Sequence, residues 1–165
     1  MIISEVIFES NLKLFDCGNS DINQFLHERA VREHRRRSVR VFTVKYAQSD
    51  PVFGFYSLCV ATLEKKSFPG FGSRPVPALY LAMIGVDLTQ KGRGLGTALM
   101  TDAFRRALIV ATNAGAYCLF LDAVDVTTAK FYAKLGFEFL VPGKLKMFIA
   151  IETLMEAFTP RGGDI

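Results

Sequence analysis

The sequence predicts an α/β protein: a mixed central β-sheet of about seven strands, flanked by helices. Three observations carry that expectation. Strand-like apolar runs alternate with segments of helical apolar spacing in the order β-α-β-β-β-α-β-α-β-β. One run, Ala78–Val86, is nearly all apolar, as befits a central strand buried on both faces. A glycine-rich stretch, Lys91–Gly96, then joins that run to the longest helical pattern in the chain.

Taken in order, Ile2–Phe8 reads as a first strand. Ser20 is placed to cap a helix, with Asp21 in its first turn and Ile22, Phe25, Leu26 and Ala30 on one face. That helix is expected to reach about Arg35. Val39–Ala47 and Val52–Glu64 read as a hairpin turning at Ser49-Asp50-Pro51. Lys65–Pro77, with Pro69, Gly70, Gly72, Pro75 and Pro77, reads as a surface loop. After the Ala78–Val86 strand, a helix is expected from about Leu95 to Asn113, stopped by Gly115. Tyr117–Asp122 returns as a strand. A short helix from Thr127 to about Leu135 ends at Gly136 as its C-cap. Two final strands, Phe137–Val141 and Lys146–Ile151, turn at Pro142-Gly143, and Pro160–Ile165 reads as a frayed tail.

Composition sets the outer limits. A chain of 165 residues suits one globular domain, residues 1–165, and 15 Phe with 50% apolar residues exclude a disordered chain. The longest apolar stretch, Val76–Val86, is far short of the roughly 20 residues that cross a bilayer. The opening MIISEVIFES has no basic segment or small-residue cleavage site. A cytoplasmic chain with no membrane partner is expected. Cys17, Cys59 and Cys118 are widely spaced without a CxxC pattern, and Cys59 and Cys118 sit in apolar runs as small core residues. His27 and His34 alone offer little to a metal, and none is expected.

The net charge of +4 is unevenly spread, with six of the 20 Lys and Arg between Arg29 and Arg40. Such a run is either a solvated helix face or a docking surface for a polyanion. Charge alone leaves both readings open.

The glycine stretch has its own chemistry. Glycines between a buried strand and a helix N-terminus let backbone N–H groups approach an anion, and the helix dipole favours it. Two phosphate motifs fail here. A Walker loop needs Lys before Ser or Thr, and Gly96-Thr97 lacks it; a dinucleotide loop reads GxGxxG after the first strand, whereas this one reads GxGxG after the fourth.

Lys91-Gly92-Arg93-Gly94-Leu95-Gly96 instead resembles the pyrophosphate motif Q/R-x-x-G-x-G/A of the GNAT superfamily of acetyl-CoA-dependent N-acetyltransferases, with Lys at its first position. Asp125–Phe137 resembles the same family's late segment ending in FYxKxGF. The resemblance implies acetyl-CoA as donor. Its contacts are implied at Ile84, Val86, Lys91, Gly92, Arg93, Gly94, Leu95, Gly96, Thr97 and Phe131. It also implies two catalytic groups. The backbone N–H of Val86 would face the oxyanion of the attacked acetyl group, and the Tyr132 phenol would supply a proton to the departing thiolate. On the residues alone, Tyr132 reads first as a core tyrosine on an amphipathic helix, and it is the motif that favours the catalytic role.

The N-terminal half narrows the resemblance. Phe15–Ala30 (FDCGNSDINQFLHERA), the arginine run, Gly54–Leu58, Leu121–Asp125 and Met147–Leu154 are similar to the small GNAT toxins of type II toxin–antitoxin systems. Those toxins acetylate the α-amino group of aminoacyl-tRNA and so block translation. The resemblance implies aminoacyl-tRNA as substrate, a ribbon-helix-helix antitoxin and a homodimer. Arg32, Arg35, Arg36, Arg37 and Arg40 would then hold the tRNA backbone, with Lys144 and Lys146 extending the surface. One departure is clear: the toxins carry Arg late in the fourth strand, and Tyr80–Asp87 (YLAMIGVD) has none.

An α-amino group titrates near ~7.7–8.0 and a lysine amine near ~10.4, so the former needs no strong base at neutral pH. No base is placed by a motif; Glu33, Asp87 and Glu138 are the carboxylates to test. Two other function classes stand beside the toxin reading. One is a GNAT enzyme acting on a small-molecule amine or a protein N-terminus. The other is a non-catalytic module binding nucleic acid or a partner, for which a damaged glycine loop would be expected.

Overall fold

The computed structural model describes residues 1–5, 11–64, 68 and 74–159. Among the described residues, seven strands form one mixed sheet: β1 (Ile2–Glu5), β2 (Arg40–Lys45), β3 (Gly54–Leu63), β4 (Val76–Val86), β5 (Cys118–Asp122), β6 (Glu138–Phe139) and β7 (Lys146–Ala150), in the spatial order β1-β2-β3-β4-β5-β7-β6. The helices are α1 (Ser20–Gln24), α2 (Ala30–Arg35), α3 (Leu95–Ala114), α4 (Val126–Lys134) and α5 (Ile151–Phe158), with a π-helical turn at Phe25–Arg29 between the first two. The expected order of strands and helices is present, with one helix added at the end. The chain clusters into two compact units, Met1–Cys59 with Leu81–Ala103, and Val60–Tyr80 with Phe104–Ile165.

In the first unit, β1, β2 and β3 pair antiparallel, Ile2 opposite Lys45 and Arg40 opposite Leu58. A core forms where Phe15, Phe25, Leu26 and Ala30 meet Val41, Val52 and Phe55. Phe55 takes Phe15 edge-on, with ring centroids 5.3 Å apart, and stacks with Phe25 at 6.1 Å. Asn19, rather than Ser20, caps α1: its side chain accepts the N–H groups of Asp21 and Ile22. Both residues are good caps, and the one whose backbone is still extended takes the role. The turn after β2 closes through Asp50, whose carboxylate accepts the Ala47 N–H at 2.7 Å.

In the second unit, β4 runs parallel to β5 over Ala78–Tyr80 with Cys118–Phe120. β7 pairs antiparallel with β5 and with β6. Phe68, Val76, Ala78, Cys118 and Phe120 make its core, with Phe68 edge-on to both Tyr117 and Phe148. Gly115 and Gly136, at φ +77° and +100°, end α3 and α4 in the left-handed conformation that glycine adopts without strain.

Strand boundaries also differ from those expected. The last strand stops at Ala150 and Ile151 opens α5, because Ile151 and Leu154 recur at helical spacing and both are buried. The expected Lys65–Pro77 loop gives way to β4 at Val76, so Pro77 lies within a strand. Val6–Phe8, Pro69, Gly70, Gly72 and the tail Pro160–Ile165 lie outside the described residues. No helix among the described residues is long and apolar enough to cross a membrane.

Candidate active site

The glycine stretch joins the end of β4 to the start of α3. β4 ends at Val86, and Asp87 caps a 3-10 turn, Leu88–Gln90, by accepting the Thr89 N–H at 2.9 Å. Gly92 and Gly94 then sit at φ +77° and +79°, where L side chains are strained, although a Cβ at either would meet nothing within 4 Å. Glycine is thus needed here for the backbone path and not for space. The path leads into α3, twenty residues long with no acidic residue in its first turn. Its first N–H groups have no intrahelical acceptors, so the turn presents donors and a positive dipole end. Ala98 makes the first helical bond, to Gly94.

Lys91, Gly92, Arg93, Gly94 and Thr97 are exposed, Gly96 is half-buried and Leu95 is buried in the core. Gln90 is buried, its Oε1 lying 3.4 Å from both the Tyr46 hydroxyl and Arg93 Nη1. Its amide is therefore engaged inward, and Lys91 is the residue whose charge faces out at the start of the loop. Ile84 and Val86 are half-buried near the end of β4.

Phe131 and Tyr132 belong to the second unit, on α4. Asp125 caps that helix through the Thr128 N–H at 2.7 Å. The Tyr132 ring is 5% exposed and packs against Phe131 and Phe137. Burial pushes its phenol up to about 12, so the group is protonated throughout the neutral range. Burial likewise pushes the Cys118 thiol up to about 12, in keeping with a core role.

The arginine run of the first unit spans α2, which holds Arg32 and Arg35, and the turn after it, with Arg40 opening β2. Arg36 ends the helix and Arg37 takes φ +61°, the one positive φ outside glycine among the described residues. Arg32, Arg35, Arg36 and Arg37 are exposed; Arg32 pairs with Glu33 at 3.3 Å, and the half-buried Arg40 pairs with Glu5. Glu33 also accepts the Ser38 hydroxyl, which folds the turn back on itself. These carboxylate partners are what sequence reasoning missed. In the second unit, Lys144 is exposed and Lys146 pairs with Asp122 at 2.9 Å. Of the carboxylates weighed as bases, Glu33 and Asp87 are committed to the hydrogen bonds just described, and Glu138 is exposed on β6.

Residues 38–139 match the family described as acetyltransferase (GNAT) domain. The chain belongs to the GNAT acetyltransferases. Within that family it is 30% identical to a tRNA-acetylating toxin of Mycobacterium tuberculosis (strain ATCC 25618 / H37Rv) over 128 residues, 75% of this chain and 76% of the relative. Among solved structures it is similar to the toxin AtaT complexed with acetyl-methionyl-tRNAfMet, with a TM-score of 0.87 and 25% identity over 96% of this chain and 99% of that one. A mutant AtaT bound to acetyl-CoA and the C-terminus of the antitoxin AtaR gives a TM-score of 0.83 at 25% identity, covering 96% and 98% of the two chains. The GNAT resemblance read from the sequence, and its toxin branch, are borne out by these relatives.

Proposed function

We propose that this GNAT chain is an acetyl-CoA-dependent toxin that acetylates the α-amino group of aminoacyl-tRNA and thereby blocks translation. The observation that carries the reading is the similarity, over nearly the whole chain, to a toxin solved with acetyl-methionyl-tRNAfMet. The exposed cationic turn at Arg36–Arg37 and the intact glycine loop support it independently.

The roles follow from chemistry. The Lys91–Gly96 backbone and the α3 N-terminus hold the pyrophosphate of acetyl-CoA, with Lys91 and Arg93 adding charge. A neutral α-amine attacks the acetyl carbon, and the Val86 N–H donates to the oxygen as negative charge develops there. The carbon–sulfur bond then breaks. The thiolate gains a proton from Tyr132, and the amine nitrogen gives one up, so the phenol is restored. Ile84, Leu95, Gly96, Thr97 and Phe131 line the donor. Arg32, Arg35, Arg36, Arg37 and Arg40 contact tRNA phosphates, Arg32 and Arg40 after exchanging their carboxylate partners.

The whole chain acts as one catalytic domain in the cytoplasm, as a homodimer, neutralised by an antitoxin of the ribbon-helix-helix class. Labelled acetyl-CoA, offered with charged tRNA, uncharged tRNA, a polyamine and a lysine-bearing peptide, tests the reading. Label on charged tRNA alone supports it. Label on a polyamine or peptide in its place overturns the translation target and favours a small-amine or protein acetyltransferase.

A further inference from the structure

A polar network in the first unit is left unused by the chemistry above. The Asp87 side chain, immediately after β4, lies in a residue only 8% exposed. One oxygen, Oδ2, accepts the Asp16 N–H at 3.0 Å. The other, Oδ1, accepts the Thr89 N–H at 2.9 Å and the Thr89 hydroxyl at 2.6 Å. The backbones reciprocate, since the Leu88 N–H donates to the Asp16 carbonyl at 2.8 Å. Asp16 in turn accepts the Gly18 N–H at 2.8 Å and the Asn23 amide at 2.7 Å, and Asn23 accepts the Cys17 N–H at 2.9 Å.

The same segment also presses on the residue before Val86. A Cβ added at Gly85 would lie 3.0 Å from Ile22 Cγ2, 3.2 Å from Phe15 Cζ and 3.3 Å from Cys17 Cβ. Residues 15–23 therefore pack against Gly85 and grip Asp87, with Val86 between them. Burial pushes the Asp87 carboxyl up, but the donors from Thr89 and Asp16 outweigh it and hold the group below the usual range. The grip is thus ionised and fully engaged at neutral pH.

We infer that segment 15–23 is a brace for the acetyl-CoA site, and that Asp87 and Asp16 are positioning residues. They set the Val86 backbone and the turn that launches the glycine loop. This rests on the reading of that loop as the acetyl-CoA site. Because coupling between two sites is reciprocal, acetyl-CoA on the loop stiffens the brace, and loosening the brace costs acetyl-CoA affinity.

Two measurements on the full chain decide it. Hydrogen exchange of the wild type, with and without saturating acetyl-CoA, reports the amides of Asp16, Cys17 and Gly18 beside those of the loop. Calorimetry gives acetyl-CoA affinity for the wild type and for Asp87→Asn, Thr89→Val and Thr89→Ser. The brace predicts slowed exchange at residues 16–18 as well as in the loop. It also predicts binding weakened about tenfold in Asp87→Asn, whose amide cannot accept at both ends. Thr89→Val weakens binding, and Thr89→Ser, which keeps the hydroxyl, restores it. Protection confined to the loop, with variants binding as the wild type does, overturns the brace and leaves the acetyl-CoA reading standing. A wild type that does not bind acetyl-CoA overturns that reading and the brace with it. Should Asp87→Asn fail to fold, wild-type exchange and the Thr89 pair still decide.

Discussion

His34 Nδ1 accepts the Val41 N–H at 3.0 Å, tying the end of α2 to β2 and fixing the arginine turn between them. The opposite ring nitrogen lies 3.4 Å from a Glu5 carboxylate that also pairs with Arg40. A neutral imidazole satisfies both contacts, whereas a protonated ring loses its acceptor at Nδ1.

This gives a pH dependence with a definite sign. Burial first, and Arg40 second, hold His34 below its ordinary 6.5, against the pull of Glu5. A depressed imidazole contributes stability that is full above the unfolded value and lost as pH falls through the folded one. Thermal melts across pH about 5 to 8 are expected to show Tm falling on the acid side in the wild type. His34→Ala flattens that limb and lowers Tm at neutral pH. An unchanged acid limb in His34→Ala contradicts the role.

Tyr132→Phe keeps the ring packing against Phe131 and Phe137 and removes only the hydroxyl. The expected outcome is a kcat lower by roughly 10²–10⁴-fold with acetyl-CoA affinity nearly unchanged. Growth inhibition disappears with it. In the wild type the rate rises with pH through the acceptor amine near ~7.7–8.0. It falls again only as the phenol ionises towards 12. Toxicity that survives the substitution removes Tyr132 from the mechanism.

Arg35→Ala, Arg36→Ala and Arg37→Ala combined are expected to raise KM for tRNA and leave KM for acetyl-CoA alone. The slope of log affinity against log salt flattens by about one unit for each phosphate no longer neutralised. Filter binding over a salt series reads it directly. A slope equal to that of the wild type returns the turn to a solvated surface.

Gly94→Ala separates backbone path from space. No atom crowds its Cβ, so the cost comes from the left-handed backbone, about 1–2 kcal/mol. The exposed loop, when free, relaxes from that path, so Tm moves little, and restoring the path on binding lowers acetyl-CoA affinity by the corresponding factor. Calorimetry beside a thermal melt checks both. Equal affinity with an unchanged Tm in the variant contradicts a need for the left-handed path at Gly94.

Much of this was legible in the residues because the deciding signals are local. Ala78–Val86 reads as a buried strand from its own composition, and the Lys91–Gly96 and Asp125–Phe137 motifs each lie within one short stretch. What escaped is either long-range or ambiguous at short range. The Asp16–Asp87 contact spans 71 residues and Arg40–Glu5 spans 35, so no window contains either. Asn19 and Ser20 are both good caps, and only backbone geometry distinguishes them. Helix α5 was hidden by the β-branched run at Ile149 and Ile151, which reads as strand until the Ile151–Leu154 spacing is weighed against it.

The proposed reaction leaves the acetyl group on the α-amine of an aminoacyl-tRNA. The most direct measurement is mass spectrometry of the 3′-terminal aminoacyl-adenosine, released by nuclease after charged tRNA has met the protein and acetyl-CoA. One acetyl group on the amino acid is expected, present with the wild type and absent with Tyr132→Phe. An unmodified aminoacyl-adenosine, with the acetyl group found on another amine in the same reaction, would contradict it.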